Sequence, residues 1–349
     1  MRPCDKFMPP GRSGVPLRPS SPLAPERGTV HVWGMRRRDL LIRLGLVAGA
    51  VGGAWWLRDH VLWKAPGVGF PADGASGWLD YAARRAVTPT VAVTVNGTPV
   101  RALVDSGAQY SVIDRSLVQT LGLTDVFNIP MVAYGVGGEP QMGRGAALDV
   151  EVGRLRLDGL RAAILDLGPL AGDQGLGAPL ILGQDVLREL VLELDTGRRR
   201  MRFLKHEVWT PTPDMAAVAV TRAGKALQAG ITVEWATVEA VIDTGASAVL
   251  AVTRETAQAA GLLDGRERRP GQSLVLGGVV RAEAVTVRTL TFADELYRNA
   301  EVAIYDDVPV PGFPKALIGM GAFEDRRLAL DLGGPRLFMS RPLGITGGE

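Results

Sequence analysis

Cysteine is nearly missing from this sequence. Cys4 is the only one, so no disulfide forms within the chain and no multi-cysteine metal site can be built. Histidine is almost as scarce: His31, His60 and His206 lie far apart, and no HExxH-type cluster supports a zinc hydrolase. His206 reads as a surface residue rather than a catalytic base. A G-x-S-x-G elbow is missing too, which removes the anchor of a serine hydrolase. Charge of one sign is also lacking. The formal net charge is +2, and outside the short runs Arg36–Arg38 and Arg198–Arg200 the basic residues are scattered, so nothing points to nucleic acid. No motif asks for a cofactor or a metal. Aromatics make up only 6%, whereas Gly 44 and Pro 23 are abundant, which favours many turns and short strands over long helices.

The N-terminus reads as an address. Residues 1–34 are rich in Pro, Arg and Ser without periodicity, and read as disordered or as upstream of a true start at Met35. Residues 35–57 then combine Arg36, Arg37 and Arg38 with an apolar stretch from Leu44 to Leu57, too short for an ordinary span and suited to a signal h-region. Arg37-Arg38-Asp39-Leu40-Leu41 resembles a twin-arginine export signal. Ala48-Gly49-Ala50 offers a small-residue cleavage pattern, but Trp55 and Trp56 follow it, which leaves an uncleaved N-terminal membrane anchor open. The bland reading is a buried helix. The expectation is therefore an exported protein, periplasmic or anchored on the outer face of the inner membrane. Residues 58–86, with Pro66, Gly67, Pro71 and Gly74, read as a linker; no pro-segment is evident, although this stretch has room to act as one.

Comparing the chain with itself organises the remainder. Val91–Val95, the turn pair Asn96-Gly97 and Val100–Val104 form a hairpin pattern that runs into Asp105-Ser106-Gly107-Ala108. Ile231–Trp235 and Val238–Ile242 run likewise into Asp243-Thr244-Gly245-Ala246. Asp114 can cap a helix over Arg115–Leu121, and Thr253 one over Arg254–Ala260. Glycine-bearing hairpins follow at Tyr134–Gly138 and Leu276-Gly277-Gly278, then Leu180-Ile181-Leu182-Gly183 and Ala316-Leu317-Ile318-Gly319. Each unit closes with a hairpin, Leu192–Asp195 to Met201–Phe203 and Leu328–Asp331 to Leu337–Met339. Gly183 lies 78 residues after Asp105 and Gly319 lies 76 after Asp243. The same features in the same order at matched spacing predict an all-β chain of two repeated β units with short helices, over residues 87–207 and 208–345.

A single D-[ST]-G-A is weak evidence, expected by chance in about one chain in a hundred of this length. Asp195-Thr196-Gly197 makes the point: it spells D-T-G, yet Arg198-Arg199-Arg200 follows, and it reads as a hairpin turn. Asp105 and Asp243 have the same bland reading, a turn after a strand. Pairing changes the balance, because each motif follows an apolar strand, Ala102–Val104 and Ala240–Ile242, and so emerges from a core. If the units pack about a pseudo-twofold axis, the two carboxylates meet. Carboxylates about 3 Å apart cannot both ionise and share one proton. One can then take a proton from water while the other donates to a carbonyl oxygen. Gly107 and Gly245 permit close approach, and the Ser106 and Thr244 hydroxyls can hold the loops.

V-D-S-G-A and I-D-T-G-A, each followed by an apolar-apolar-Gly triplet, resemble the retropepsin-like aspartic proteases, with both lobes fused in one chain as in pepsin. The resemblance covers about 90–340 and implies a bilobal acid-protease fold. It implies Asp105 and Asp243 as the catalytic pair, supported by Ser106, Gly107, Ala108, Thr244, Gly245 and Ala246. It implies a flap over the substrate at Tyr134, Gly135, Val136, Gly137 and Gly138, with a second around Gly277 and Gly278. The expected partner is a peptide or protein substrate and the expected state is a monomer. Two departures stand out. Ser111 has Val249 as its counterpart, and Asp185 has Gly321. The second unit thus looks more divergent, which keeps alive an alternative: a non-catalytic peptide- or protein-binding module on the same fold.

Overall fold

The computed structural model describes residues 63–84, 86–133, 141–172, 175–275, 278–307 and 314–342. The expected export signal or anchor at 35–57 lies outside the described residues. No described helix is long and apolar enough to cross a membrane.

Short alternating strands dominate, because the sequence supplies β-branched runs of five or so residues cut by glycine and other turn formers. In the first unit, Thr90–Val95 and Thr98–Val104 pair antiparallel around Asn96-Gly97. Both turn residues have positive φ, 47° and 83°, as a two-residue hairpin turn requires. The second unit repeats the hairpin with Ala226–Val233 and Ala236–Ile242. Here the strand ends two residues earlier than its composition suggests. Glu234, with φ 54°, and Trp235 form the turn instead, and the Arg266 guanidinium fixes Glu234 at 3.2 Å.

Each unit builds an eight-stranded sheet in which the strand leading to the Asp motif pairs in parallel with the apolar triplet strand, Leu180–Leu182 or Ala316–Ile318. The helices Arg115–Thr120 and Arg254–Ala259 each stop one residue short of the expected end. Asp114 accepts from Ser116 N at 2.9 Å and Thr253 accepts from Thr256 N at 3.2 Å, which satisfies first-turn N–H groups that no helical carbonyl can reach.

A third sheet of six strands joins the units. The two closing hairpins meet at its centre, Leu192 opposite Leu330 and Leu194 opposite Leu328. Asp195 ends one strand of its hairpin and accepts from Arg198 N at 3.0 Å, the turn role that D-T-G at this position implies. His206 is half-buried rather than free on the surface, since its Nδ1 lies 3.0 Å from the Asp331 carboxylate of the other unit.

One expectation needs correction. The described part of the presumed linker, 63–84, is woven into the fold. Gly67–Gly69 pairs with Arg156–Asp158, Leu79–Asp80 pairs with Arg200–Met201, and Trp63, Ser76 and Tyr81 are buried. Strands of two or three residues carry no readable period. They are ordered by docking on an existing edge, so proline and glycine content alone is a poor guide there.

Candidate active site

Each motif is positioned by the sheet beneath it. Beyond the parallel pairing, the ladder continues into the motif itself: Asp105 N donates to Leu182 O at 3.0 Å, and Asp243 N to Ile318 O at 2.9 Å. The far side of each loop is tied down in the same way. Gln184 N donates to Ala108 O at 2.9 Å and Met320 N to Ala246 O at 2.8 Å. Four equivalent bonds thus fix the two loops in one conformation.

The loops then brace each other across the lobes. Ser106 Oγ donates to Ile242 O at 2.8 Å and accepts from Thr244 N at 3.0 Å. Reciprocally, Thr244 Oγ1 donates to Val104 O at 2.7 Å and accepts from Ser106 N at 2.9 Å. Each hydroxyl uses its single proton and one lone pair, and both residues are buried. The pattern maps onto itself when the lobes are exchanged, so an approximate twofold axis passes between the loops.

That axis brings the carboxylates of Asp105 and Asp243 into a shared side-chain hydrogen bond. Gly107 N and Ala108 N donate to Asp105 Oδ1 at 2.8 and 3.1 Å, and Gly245 N donates to Asp243 Oδ1 at 2.8 Å. The glycines are required by proximity. A Cβ on Gly107 would lie 2.6 Å from Asp243 Cγ, and one on Gly245 would lie 2.6 Å from Asp105 Cγ. Desolvation pushes both carboxyls above the usual carboxylate range, and the charge on Asp105 pushes Asp243 further, against the pull of the backbone N–H groups. The pair therefore keeps a proton at pH values where a free aspartate has lost its own.

All eight residues expected in the two loops are brought together. Of the expected flap residues, Tyr134, Gly135, Val136, Gly137, Gly138 and Gly277 lie outside the described residues. Gly278 opens the strand Gly278–Phe292 opposite Val275.

The two departures noted in the sequence turn out to be one. Ser111 N and Oγ donate to the Asp185 carboxylate at 3.0 and 2.8 Å, and Ser111 Oγ accepts from Gly183 N at 3.1 Å. In the second lobe both partners change together, to Val249 and Gly321. Burial pushes Asp185 up to about 6 despite the bonds from Ser111. Sequence reasoning also passes over Gln184, whose Nε2 donates to Ser106 O at 2.8 Å behind the brace. Its only signal is adjacency to the Leu182-Gly183 pair, and its counterpart Met320 cannot donate.

Comparison with known proteins agrees with this layout. A family model described as aspartyl protease matches residues 91–186 and 229–322, together more than half of the chain and one segment per lobe. No curated protein matches the sequence. Among solved structures, the crystal structure of a retropepsin-like aspartic protease from Rickettsia conorii is similar at 20% identity and TM-score 0.23, covering 31% of this chain and 75% of that one. With two matched segments, each built around one motif loop, the chain belongs to the aspartyl protease family and carries both motif loops in one polypeptide.

Proposed function

We propose that the chain is an aspartic endopeptidase that hydrolyses peptide bonds with a water activated by Asp105 and Asp243. The observation that carries this reading is the pair itself: two carboxylates sharing a hydrogen bond, both raised by burial, on loops braced symmetrically. In such a pair the ionised carboxylate takes a proton from the water as its oxygen attacks the scissile carbonyl carbon. The protonated one gives its proton to the carbonyl oxygen. The resulting tetrahedral diol collapses when the carboxyl group that took the water's proton gives it to the amine nitrogen. The C–N bond breaks as the other carboxylate takes a proton from the diol, which restores the singly protonated pair. An extended peptide suits a cleft between two sheets, with main-chain bonds holding it and pockets selecting side chains. Because one chain supplies both aspartates, the enzyme acts as a monomer, exported or anchored outside the inner membrane.

Cleavage of a mixed peptide library by the full chain tests this, wild type against Asp105→Asn and Asp243→Asn. Each substitution alone is expected to lower turnover about 10³-fold or more, since neither carboxylate can be both acid and base. The pH profile follows from the raised pair. Activity falls at low pH as the second proton binds, and falls again, above the usual carboxylate range, as the last dyad proton is lost. Cutting that survives in either variant, or that climbs steadily into alkaline pH, would sink the shared-dyad mechanism. The replacement of Ser111 and Asp185 by Val249 and Gly321 favours a second reading, a cleft that binds peptide without cutting it. A folded wild type that binds peptides and cuts none between pH 3 and 8 would establish it.

A further inference from the structure

The strands that carry Asp105 bury one face in the main core, through Ala102, Val104, Leu180 and Leu182. Alternation sends Leu103, Val112 and Ile181 to the opposite face. That face borders the dyad, because Ala108, which donates to Asp105 Oδ1, packs against the same cluster. An apolar face beside a carboxylate pair is where a substrate side chain would seat. In the first lobe it is already occupied. Trp63 is 4% exposed, lies in this cluster and packs against Tyr110 in a tilted pair with ring centroids 4.6 Å apart.

The equivalent cluster of the second lobe contains no aromatic side chain among the described residues, although Val241 and Leu317 there are themselves buried. The counterparts by strand register are Val241, Leu317 and Ala251, packed only with Ala223 and Ala226. The counterpart of Tyr110 in the loop is Ala248. Lys225 of the second lobe instead reaches across to the first, with its Nζ 4.8 Å from the Tyr110 ring centre. Trp63 also fits its seat imperfectly. Its indole Nε1 is buried with no acceptor among the described residues.

We infer that Trp63 is a built-in plug: its indole occupies the first lobe's apolar subsite beside Asp105. It must swing out before an aromatic or large aliphatic substrate side chain can seat there. This rests on the aspartic-peptidase reading of the cleft. The first subsite opens when the segment carrying Trp63 is displaced or removed.

The test uses the full chain, wild type and Trp63→Ala, and three probes read by calorimetry. These are 3-methylindole and two peptide hydroxyethylene isosteres, flanked by Phe on both sides or by Ala on both sides. Trp63→Ala is expected to bind 3-methylindole where the wild type does not. It is also expected to widen the preference for Phe over Ala flanks at least tenfold, with the Ala compound changed less than threefold. Should Trp63→Ala fail to fold, hydrogen exchange on the wild type decides. Exchange at residues 63–69 should rise when the Phe compound binds and stay level with the Ala compound. Equal Phe preference in both proteins, no 3-methylindole binding by a folded variant, or unchanged exchange under the Phe compound overturns the plug. The 3-methylindole arm needs no catalysis, so a cleft that binds and never cuts would disprove the peptidase while leaving the plug standing or falling by itself.

Discussion

The two lobes agree where they touch each other and differ where they do not. At the axis, Ser106 and Thr244 make the same four bonds with lengths of 2.7 to 3.0 Å. One layer behind, the first lobe holds its loop with Gln184 and a Ser111–Asp185 pair, while the second uses Met320, Val249 and Gly321. The contrast shows which layer the shared site constrains. A loop that must present its carboxylate to a partner tolerates no change in the brace. What supports that loop from its own side can be polar or apolar, provided that the backbone stays put. The divergence of the second lobe therefore stops short of Asp243, whose own amide bond and bond from Gly245 N match those of Asp105 and Gly107.

After loss of either aspartate, the largest expected effect comes from breaking the brace. Ser106→Ala would strand Thr244 N and Ile242 O, and Thr244→Ala would strand Ser106 N and Val104 O. Each buried group left unpaired costs about 1–3 kcal/mol, so either variant should lose about 2–6 kcal/mol of unfolding free energy. Urea titration of the two variants sharpens the comparison. Equal losses are expected from the reciprocal geometry. A several-fold inequality would mean that one lobe carries the interface and the other merely follows.

A smaller effect separates the supporting layers. Asp185 has no titrating counterpart, so it should give the first lobe a pH dependence that the second lacks. Its carboxyl is raised from 3.8 to about 6 by burial, and the protonated form is therefore the one the fold favours. That contribution is fully present below pH 3.8 and is lost as pH rises through about 6, a span worth about 3 kcal/mol at most. Asp185→Asn should flatten the stability curve between those limits, whatever its cost at fixed pH. Parallel wild-type and variant curves across pH 4–7 would show that Ser111 holds the carboxylate ionised throughout.

How much of this is legible beforehand depends on whether the information is local. The repeat, the motif strands and the helix caps Asp114 and Thr253 are written in contiguous residues, and the structure follows them to within a residue or two. Doubling a weak four-residue motif is what makes the Asp pair visible. The Ser111–Asp185 pair is not visible as a pair, because its partners stand 74 residues apart and meet only when Gly183 packs under the loop. Trp63 and the short strands Gly67–Gly69 and Leu79–Asp80 are hidden for a related reason. Their order comes from edges and faces built elsewhere, and Pro66, Pro71 and the glycines around them mask it. The turn at Glu234-Trp235 lacks glycine altogether, and a long-range ion pair with Arg266 stands in for it.

The smallest expected effect asks whether the second lobe can return to the arrangement of the first. Gly321 occupies the Asp185 position, and the loop before it has settled into the vacated space. A Cβ there would lie 2.8 Å from Val249 N and 3.0 Å from both Ala248 C and Ser247 O. These are backbone atoms and cannot rotate away, unlike the tip of a flexible side chain. Gly321→Ala should therefore cost about 1–3 kcal/mol, as overpacking of a close contact does. Because residues 247–249 lie directly against it, the strain should also reach Asp243, lowering turnover without moving the Ser111–Asp185 pair. The double change Val249→Ser with Gly321→Asp, which restores the residue types of the first lobe, should be no better than Gly321→Ala. Its carboxylate would meet the same backbone before it could reach the new hydroxyl. Thermal unfolding of the three variants decides the matter: a double variant as stable as wild type would mean that the loop can re-form the first lobe's geometry, and that the lobes differ in side chains alone.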